Sequence, residues 1–297
     1  MPVETNPATG TSSISLGNVC IFGAGCIGCF VGICLAGDGQ KVTFLHRKSN
    51  SGESFLDKVS KTGIRLKDHY GKLNKHLDAS TCASAFTLDC ERALRDADVI
   101  LVATKRVANE EVSLRINQFA KKGVPIVTLQ NGTFVRKQLA PFLNADHPII
   151  ECMVNVAVVT TPEGFAKTSP IARFVLDGDP ETLAIAERVA TAFKSAGVRA
   201  EVDADIKAVQ YGKLLFILQK NILDDTAHSS MWEDFKYGRT SEIDFLNGEI
   251  VRLGKDFQVP TPYNDKLVRN VKQHEEETGG LSMVSATMMA TMIGVQL

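Results

Sequence analysis

The sequence predicts an α/β protein: an N-terminal, doubly wound parallel sheet followed by an all-α domain. Three observations carry this. An apolar run, Val19–Phe22, feeds Gly23-Ala24-Gly25-Cys26-Ile27-Gly28, and a helix-like stretch to Ala36 follows at once. Strand and helix patterns then alternate as far as Ala200–Val202, as in a parallel sheet wound on both faces. From Asp205 the pattern is helical nearly to the end. The divisions are a disordered tail over 1–17, a nucleotide-binding domain over 18–203 and a helical domain over 204–297.

Taken in order, the first element is the most informative. G-x-G-x-x-G alone is a weak signal, but here it sits between a strand and a helix, the context a dinucleotide site requires. This is the opening unit of a Rossmann-type domain: Gly23 permits the turn, Gly25 lets a pyrophosphate approach and Gly28 lets helix pack on strand. Free N–H groups at the helix start would hold phosphates. Lys41–Leu45 reads as the second strand, leaving through His46-Arg47-Lys48. No acidic residue stands there to bind a ribose 2′-hydroxyl. Arg47, whose planar fork suits a phosphate, favours NADP(H), with a solvated basic turn as the alternative.

Gly63–Asp78 reads as a hairpin turning near Tyr70-Gly71. Cys90–Arg95 reads as a short helix and Val99–Ala103 as a strand ending at Thr104-Lys105. Asn109–Ala120 is helical, and Pro125–Leu129 is a strand ending at Gln130-Asn131-Gly132. Gly23, Arg47, Lys105 and Asn131 all fall at carboxyl ends of strands, where open α/β sheets bind ligands. Ile149–Val159 and Ala172–Leu176 read as strands, Pro180–Ala196 as a helix capped by Asp179, and Ala200–Val202 as a last short strand.

In the helical part, Asp205–Leu223 reads as one helix. Lys213, Ile217 and Asn221 fall at i, i+4 and i+8 and so share a face. Lys213 is either a snorkelling surface residue or a desolvated amine of lowered pKa that donates a proton near neutral pH. Glu242 begins another helix, where an acid is stabilising in any case.

Composition narrows the classes. Of 297 residues, 44% are hydrophobic and 23% charged, with a net charge of −1, ordinary for a globular protein and without the basic field that nucleic acid or a membrane surface attracts. No apolar run is long enough to span a membrane. The Thr-, Ser- and Pro-containing start reads as a tail, with neither a secretory nor a mitochondrial signal. Seven cysteines, mostly in apolar positions, suggest a reducing, cytoplasmic setting. Cys26 and Cys29 form a C-x-x-C without a second pair of ligand spacing. The six His residues show no helical ligand pair, so no metal is expected.

Taken together, Gly23–Gly28, Arg47, Thr104-Lys105, Leu129-Gln130-Asn131-Gly132, Gly212-Lys213-Leu214, Ser229-Ser230-Met231 with Asp234, Ser241-Glu242-Ile243-Asp244 with Asn247-Gly248, and Pro260-Thr261-Pro262-Tyr263-Asn264 resemble ketopantoate reductases (2-dehydropantoate 2-reductases). The resemblance runs from about Asn18 to Glu275. It implies a Rossmann domain plus a helical domain, with an active site in the cleft. By resemblance, Gly23, Ala24, Gly25, Cys26, Ile27, Gly28, Arg47, Lys105 and Asn131 would contact NADPH, and Lys213 would be the general acid. Glu242 would orient the substrate and Ser230 would hold its carboxylate. Asn131, Lys213 and Asn221 complete the implied substrate-binding set. The implied reaction is reduction of a small 2-oxo acid, ketopantoate, to pantoate, a coenzyme A precursor.

Two departures from the family pattern matter. Ile217 stands where the family carries a substrate-binding Asn, replacing an amide with an alkyl group. Between Asn221 and Ser229 the family usually has about 30 more residues, roughly 45 Å of helix. Apolar surface left there would be covered by the Met-rich segment Leu281–Leu297, unless that is a loose tail, or by a partner chain in a homodimer. A same-family reductase of another 2-oxo acid and a catalytically weak NADP(H)-binding protein therefore stand as alternatives.

Overall fold

The computed structural model describes residues 14–47, 55–223 and 240–278. The first strand, β1 (Asn18–Phe22), feeds α1 (Cys26–Ala36) and then β2 (Lys41–Leu45). The next elements are α2 (Phe55–Thr62), β3 (Ile64–Asp68), β4 (Asn74–Leu77), α3 (Ala79–Ala85), β5 (Phe86–Thr87) and α4 (Cys90–Arg95). Then come β6 (Val99–Val102), α5 (Asn109–Phe119), β7 (Ile126–Thr128), α6 (Val135–Leu139) and β8 (Ile149–Asn155). β9 (Val158–Thr161), β10 (Gly164–Lys167), β11 (Arg173–Asp177), α7 (Leu183–Ser195) and β12 (Arg199–Asp203) complete the α/β part. The helical part contains α8 (Ile206–Leu223), α9 (Asn247–Asp256) and α10 (Pro262–Thr278).

The main sheet has the order β12-β11-β8-β7-β6-β1-β2-β5. From β5 to β8 every pairing is parallel. The chain runs outward from β1 through β2 to β5, then crosses back to β6 and runs the other way. The order therefore reverses between β1 and β6, the crevice where such sheets bind ligands. The two faces are covered as the period-2 pattern of the strands requires. Val19, Ile21 and Leu101 join the core under α1 and α7, whereas Cys20, Ile100 and Val102 join the core under α4, α5 and α6.

Helix α1 is buried continuously from Gly28 to Leu35, as a helix that is apolar all round should be. A second sheet, β4-β3-β10-β9, explains this: its Ile64, Leu66 and Phe165 share a core with Phe30, Val31 and Leu35. All seven cysteines are free. Burial pushes the Cys20 and Cys34 thiols up to about 12, which suits packing rather than reactivity.

Several elements differ from the sequence expectation. The run Ile149–Val159 divides into β8 in the main sheet and β9 in the second sheet. A parallel return to the main sheet would need a crossover of a dozen or more residues, usually helical. The β9–β10 hairpin stands there instead, and β11 comes back antiparallel to β8, so the sheet is mixed. The helix expected from Pro180 begins at Leu183. Asp179 accepts the Glu181 N–H at 3.0 Å and pairs with Arg136 at 2.8 Å, so its carboxylate closes a preceding turn instead of capping the helix. Ile14–Gly17 also pack on the domain: the Leu16 N–H donates to Gln40 Oε1, and Gln40 Nε2 donates to the Ile14 carbonyl. Helices α2, α3 and α6 are too short for periodicity to announce.

Candidate active site at the β1–β6 crevice

The glycine turn behaves as three different constraints. Gly23 has φ +113°, and a Cβ there would meet Thr104 N at 2.7 Å, so β1 and β6 end in contact. A Cβ on Gly28 would lie 2.1 Å from the Gly23 carbonyl oxygen and 2.9 Å from Ile21 Cγ2; α1 touches the strand there. At Gly25 a Cβ would meet nothing within 4 Å. Gly25 is also the N-cap of α1 and supplies no side-chain cap. The first N–H groups of a helix have no partner within it, so they face an open cradle at the positive end of a dipole. That cradle fits a dinucleotide pyrophosphate.

The other expected residues are arranged around it. Ala24 is buried, and Cys26 and Ile27 are half-buried; Cys26 Sγ lies 3.6 Å from Thr160 Oγ1. Arg47 is exposed just beyond β2, the strand next to β1. Gln130 is buried and fastens the ends of β6 and β7: its Nε2 donates to the Thr104 carbonyl at 3.0 Å and to Asn109 Oδ1 at 2.7 Å.

Lys213 reaches this crevice from α8. Its ammonium donates to Asn131 Oδ1 at 2.6 Å and to the Val154 carbonyl. Lysine has three donors and no acceptor, so these two contacts leave one donor for an incoming oxygen. Desolvation lowers its pKa to about 8, against the raising influence of Cys152 and Glu242. The half-buried Lys213 side chain thus turns inward onto Asn131 and the Val154 carbonyl. Beside it is a cavity of about 10 Å³, lined by Asn131, Met153, Gln210 and Leu246 among others, room for about one water. A larger groove of about 290 Å³ at Asn18, Asp96 and Lys121 opens at the amino ends of the strands, away from these groups.

Glu242 is buried at 6% exposure. Its Oε2 lies 3.5 Å from Lys105 Nζ, and its Oε1 accepts the Arg106 N–H at 3.1 Å. The geometry thus joins Lys213 with Asn131 and Glu242 with Lys105, pairs separated by 82 and 137 positions in sequence. Ile217 and Asn221 lie on α8 one and two turns beyond Lys213, where only the backbone is described. Ser230, the stretch between Asn221 and Ser229 beyond Leu223, and Leu281–Leu297 lie outside the described residues.

Sequence reasoning missed Arg106 and the Val154 carbonyl. A backbone acceptor leaves no mark in sequence, and no motif or spacing singles out Arg106. Among the described residues no His, Cys, Asp and Glu cluster is arranged to hold a metal, and no helix is long and apolar enough to cross a membrane.

Comparison with known proteins gives a consistent picture. The chain is similar to a solved PanE/ApbA family ketopantoate reductase of Ralstonia eutropha JMP134, with 22% identity, a TM-score of 0.71 and coverage of 88% of this chain and 99% of that one. It is equally similar in fold to a D-mandelate dehydrogenase solved with NADH and anilino(oxo)acetate: 20% identity, TM-score 0.71, 89% and 100% coverage. Identities this low speak to fold alone. A curated 2-dehydropantoate 2-reductase of Aquifex aeolicus (strain VF5) is 41% identical over 70 residues, 23% of this chain and 21% of that protein. The match therefore spans about a fifth of that curated relative's length. The family model for ketopantoate reductase PanE/ApbA matches residues 19–175, and its C-terminal counterpart matches residues 173–275. With more than half of its length matched, and with the crevice described above, this chain belongs to the ketopantoate reductase PanE/ApbA family.

Proposed function

We propose that this protein is an NADPH-dependent reductase of a small 2-oxo acid, with ketopantoate as first substrate and pantoate as product. The division of labour would follow the chain: a cofactor domain over 18–203 and a helical domain over 204–297 that supplies Lys213 and Glu242. The carrying observation is the Lys213 ammonium, desolvated to a pKa of about 8 and held by Asn131 beside the carboxyl ends of β7 and β8.

When bound, the nicotinamide supplies hydride to the ketone carbon. The residues do the rest. Gly23, Gly25 and Gly28 keep the cradle open, and Arg47 offers its fork to the 2′-phosphate. As charge grows on the ketone oxygen, the third donor of Lys213 stabilises it and then gives it the proton. Asn131 and the Val154 carbonyl hold the ammonium in one orientation. Glu242, its charge offset by Lys105, accepts a hydrogen bond from the substrate, and Ser230 binds the carboxylate. All seven thiols being free supports a reducing, cytoplasmic setting.

A second reading rests on Ile217. The family pattern has an Asn at that position, and replacing its amide with an alkyl group removes a donor and an acceptor, which would favour a branched 2-oxo acid other than ketopantoate. The deciding experiment measures NADPH oxidation with ketopantoate and with a panel of branched 2-oxo acids. Ketopantoate giving the highest kcat/KM supports the first reading, and another acid giving it supports the second. No turnover by folded, NADPH-binding protein would leave only a cofactor-binding role.

Cofactor choice has its own test. Arg47→Ala should raise KM for NADPH about tenfold or more while leaving KM for NADH within about twofold, because a charge-assisted fork to phosphate is lost. Equal changes for the two cofactors would remove Arg47 from 2′-phosphate recognition.

A further inference from the structure

Arg106 is 4% exposed and touches both parts of the chain. Its Nε donates to Gln138 Oε1 at 2.8 Å, and a terminal nitrogen donates to the Asn131 carbonyl at 3.4 Å. Its guanidinium carbon lies 4.4 Å from the Phe245 ring centroid. Its backbone N–H holds Glu242. Asn131 and Gln138 belong to the α/β part, whereas Glu242 and Phe245 belong to the helical part. Gly132, at φ +95°, lies directly beneath: a Cβ there would be 2.3 Å from the guanidinium and 2.9 Å from the Phe245 carbonyl oxygen. A planar fork that bonds and stacks at once is a property of arginine and not of lysine.

We infer that Arg106 is a positioning residue: its guanidinium locks the Asn131–Gly132 turn onto the Glu242–Phe245 turn, so that Asn131 and Glu242 are held where Lys213 uses them. This deepens the proposed function and rests on Lys213 being the proton donor. Burying such a cation is costly unless it is paired. Its pKa falls to about 10 through desolvation, opposed by Glu242, by Glu249 of α9 and by Glu151 of β8. Lys213 is faced by Asn131 after β7, by the Val154 carbonyl and Cys152 of β8, and by Glu242. Arg106 and Lys105 both offset the charge of Glu242. Without Arg106, more of that charge acts on Lys213 and raises its pKa.

The test follows acetylation of Lys213 by acetic anhydride across pH, read by peptide mass spectrometry, in the full chain and in Arg106→Met and Arg106→Lys, each shown folded by circular dichroism. This readout needs no turnover. In Arg106→Met the titration midpoint of Lys213 should rise by about half a pKa unit or more. In Arg106→Lys, which keeps the charge but loses the fork, the acetylation rate on the alkaline plateau should rise about threefold or more, as Asn131 loosens its hold. An unmoved midpoint in folded Arg106→Met overturns the inference. If that variant does not fold, an unchanged plateau rate in Arg106→Lys overturns it. Wild-type protein without turnover but with these shifts would refute the proposed reaction and leave the positioning role standing. Turnover without the shifts would do the reverse.

Discussion

Lys213→Ala is expected to lower kcat for 2-oxo acid reduction by about 10²–10⁴-fold, the range for loss of a positioned general acid, while the Kd for NADPH changes within about threefold. The geometry sets this split. Lys213 touches Asn131 and Val154, and the glycine cradle that would hold the cofactor phosphates lies at the start of α1. The acid is active in its protonated form. With its pKa lowered to about 8, it is fully protonated at pH 6, and kcat for reduction should fall as pH rises through about 8. That limb should vanish in Lys213→Ala. Steady-state NADPH oxidation across pH, with fluorescence titration of NADPH binding, measures both quantities. A parallel loss of turnover and cofactor affinity, or a variant that keeps the alkaline limb, would remove Lys213 from proton transfer.

Gly28 and Gly25, the sixth and third residues of the fingerprint, give the other large effect, because a single methyl group does different things at each. Gly28→Ala drives a Cβ to 2.1 Å from a backbone oxygen, and backbone cannot swing aside as a side chain can. Helix α1 must lift from β1, at a cost of about 1–3 kcal/mol or more, roughly 2–12 °C in Tm at about 2–4 °C per kcal/mol, together with loss of NADPH binding. Gly25→Ala meets no protein atom and has an extended N-cap backbone that alanine accepts. Its Tm should stay within about 2 °C, yet NADPH affinity should fall about tenfold or more, since the methyl group occupies the space a pyrophosphate needs. Thermal melts and NADPH titrations of both variants read this out. Gly25→Ala binding NADPH like the wild type would displace the cofactor from the cradle.

Much of this was legible in order along the chain. Helix α4 falls on its expected residues, and β2 and the β3–β4 hairpin follow the expected pattern, because each is encoded locally by alternation, turns and caps. The second sheet was legible only as that hairpin. Its partner β10 comes from about 100 positions away, and no local pattern specifies which strand completes an edge. The unusually apolar α1 sequence was the clue: a helix without a polar face needs cover on both sides, here the main sheet and the second sheet.

The sequence alone determined the glycine turn and that Gly23, Arg47, Lys105 and Asn131 fall at the carboxyl ends of strands, because these depend on spacings of a few residues. Only the tertiary structure turns the half-buried Lys213 inward onto Asn131 and the Val154 carbonyl. Burial lowers its pKa against Cys152 and Glu242, and Asn131 and the Val154 carbonyl hold the ammonium; the fold gathers these groups from three distant segments. Arg106 shows the same limit from the other side: no local pattern singles it out, and only packing against Gly132 and Phe245 makes it a buried link between the two parts of the chain. Propensity and periodicity act over one or two turns, whereas burial and electrostatics depend on everything within a few ångströms, wherever it lies in sequence.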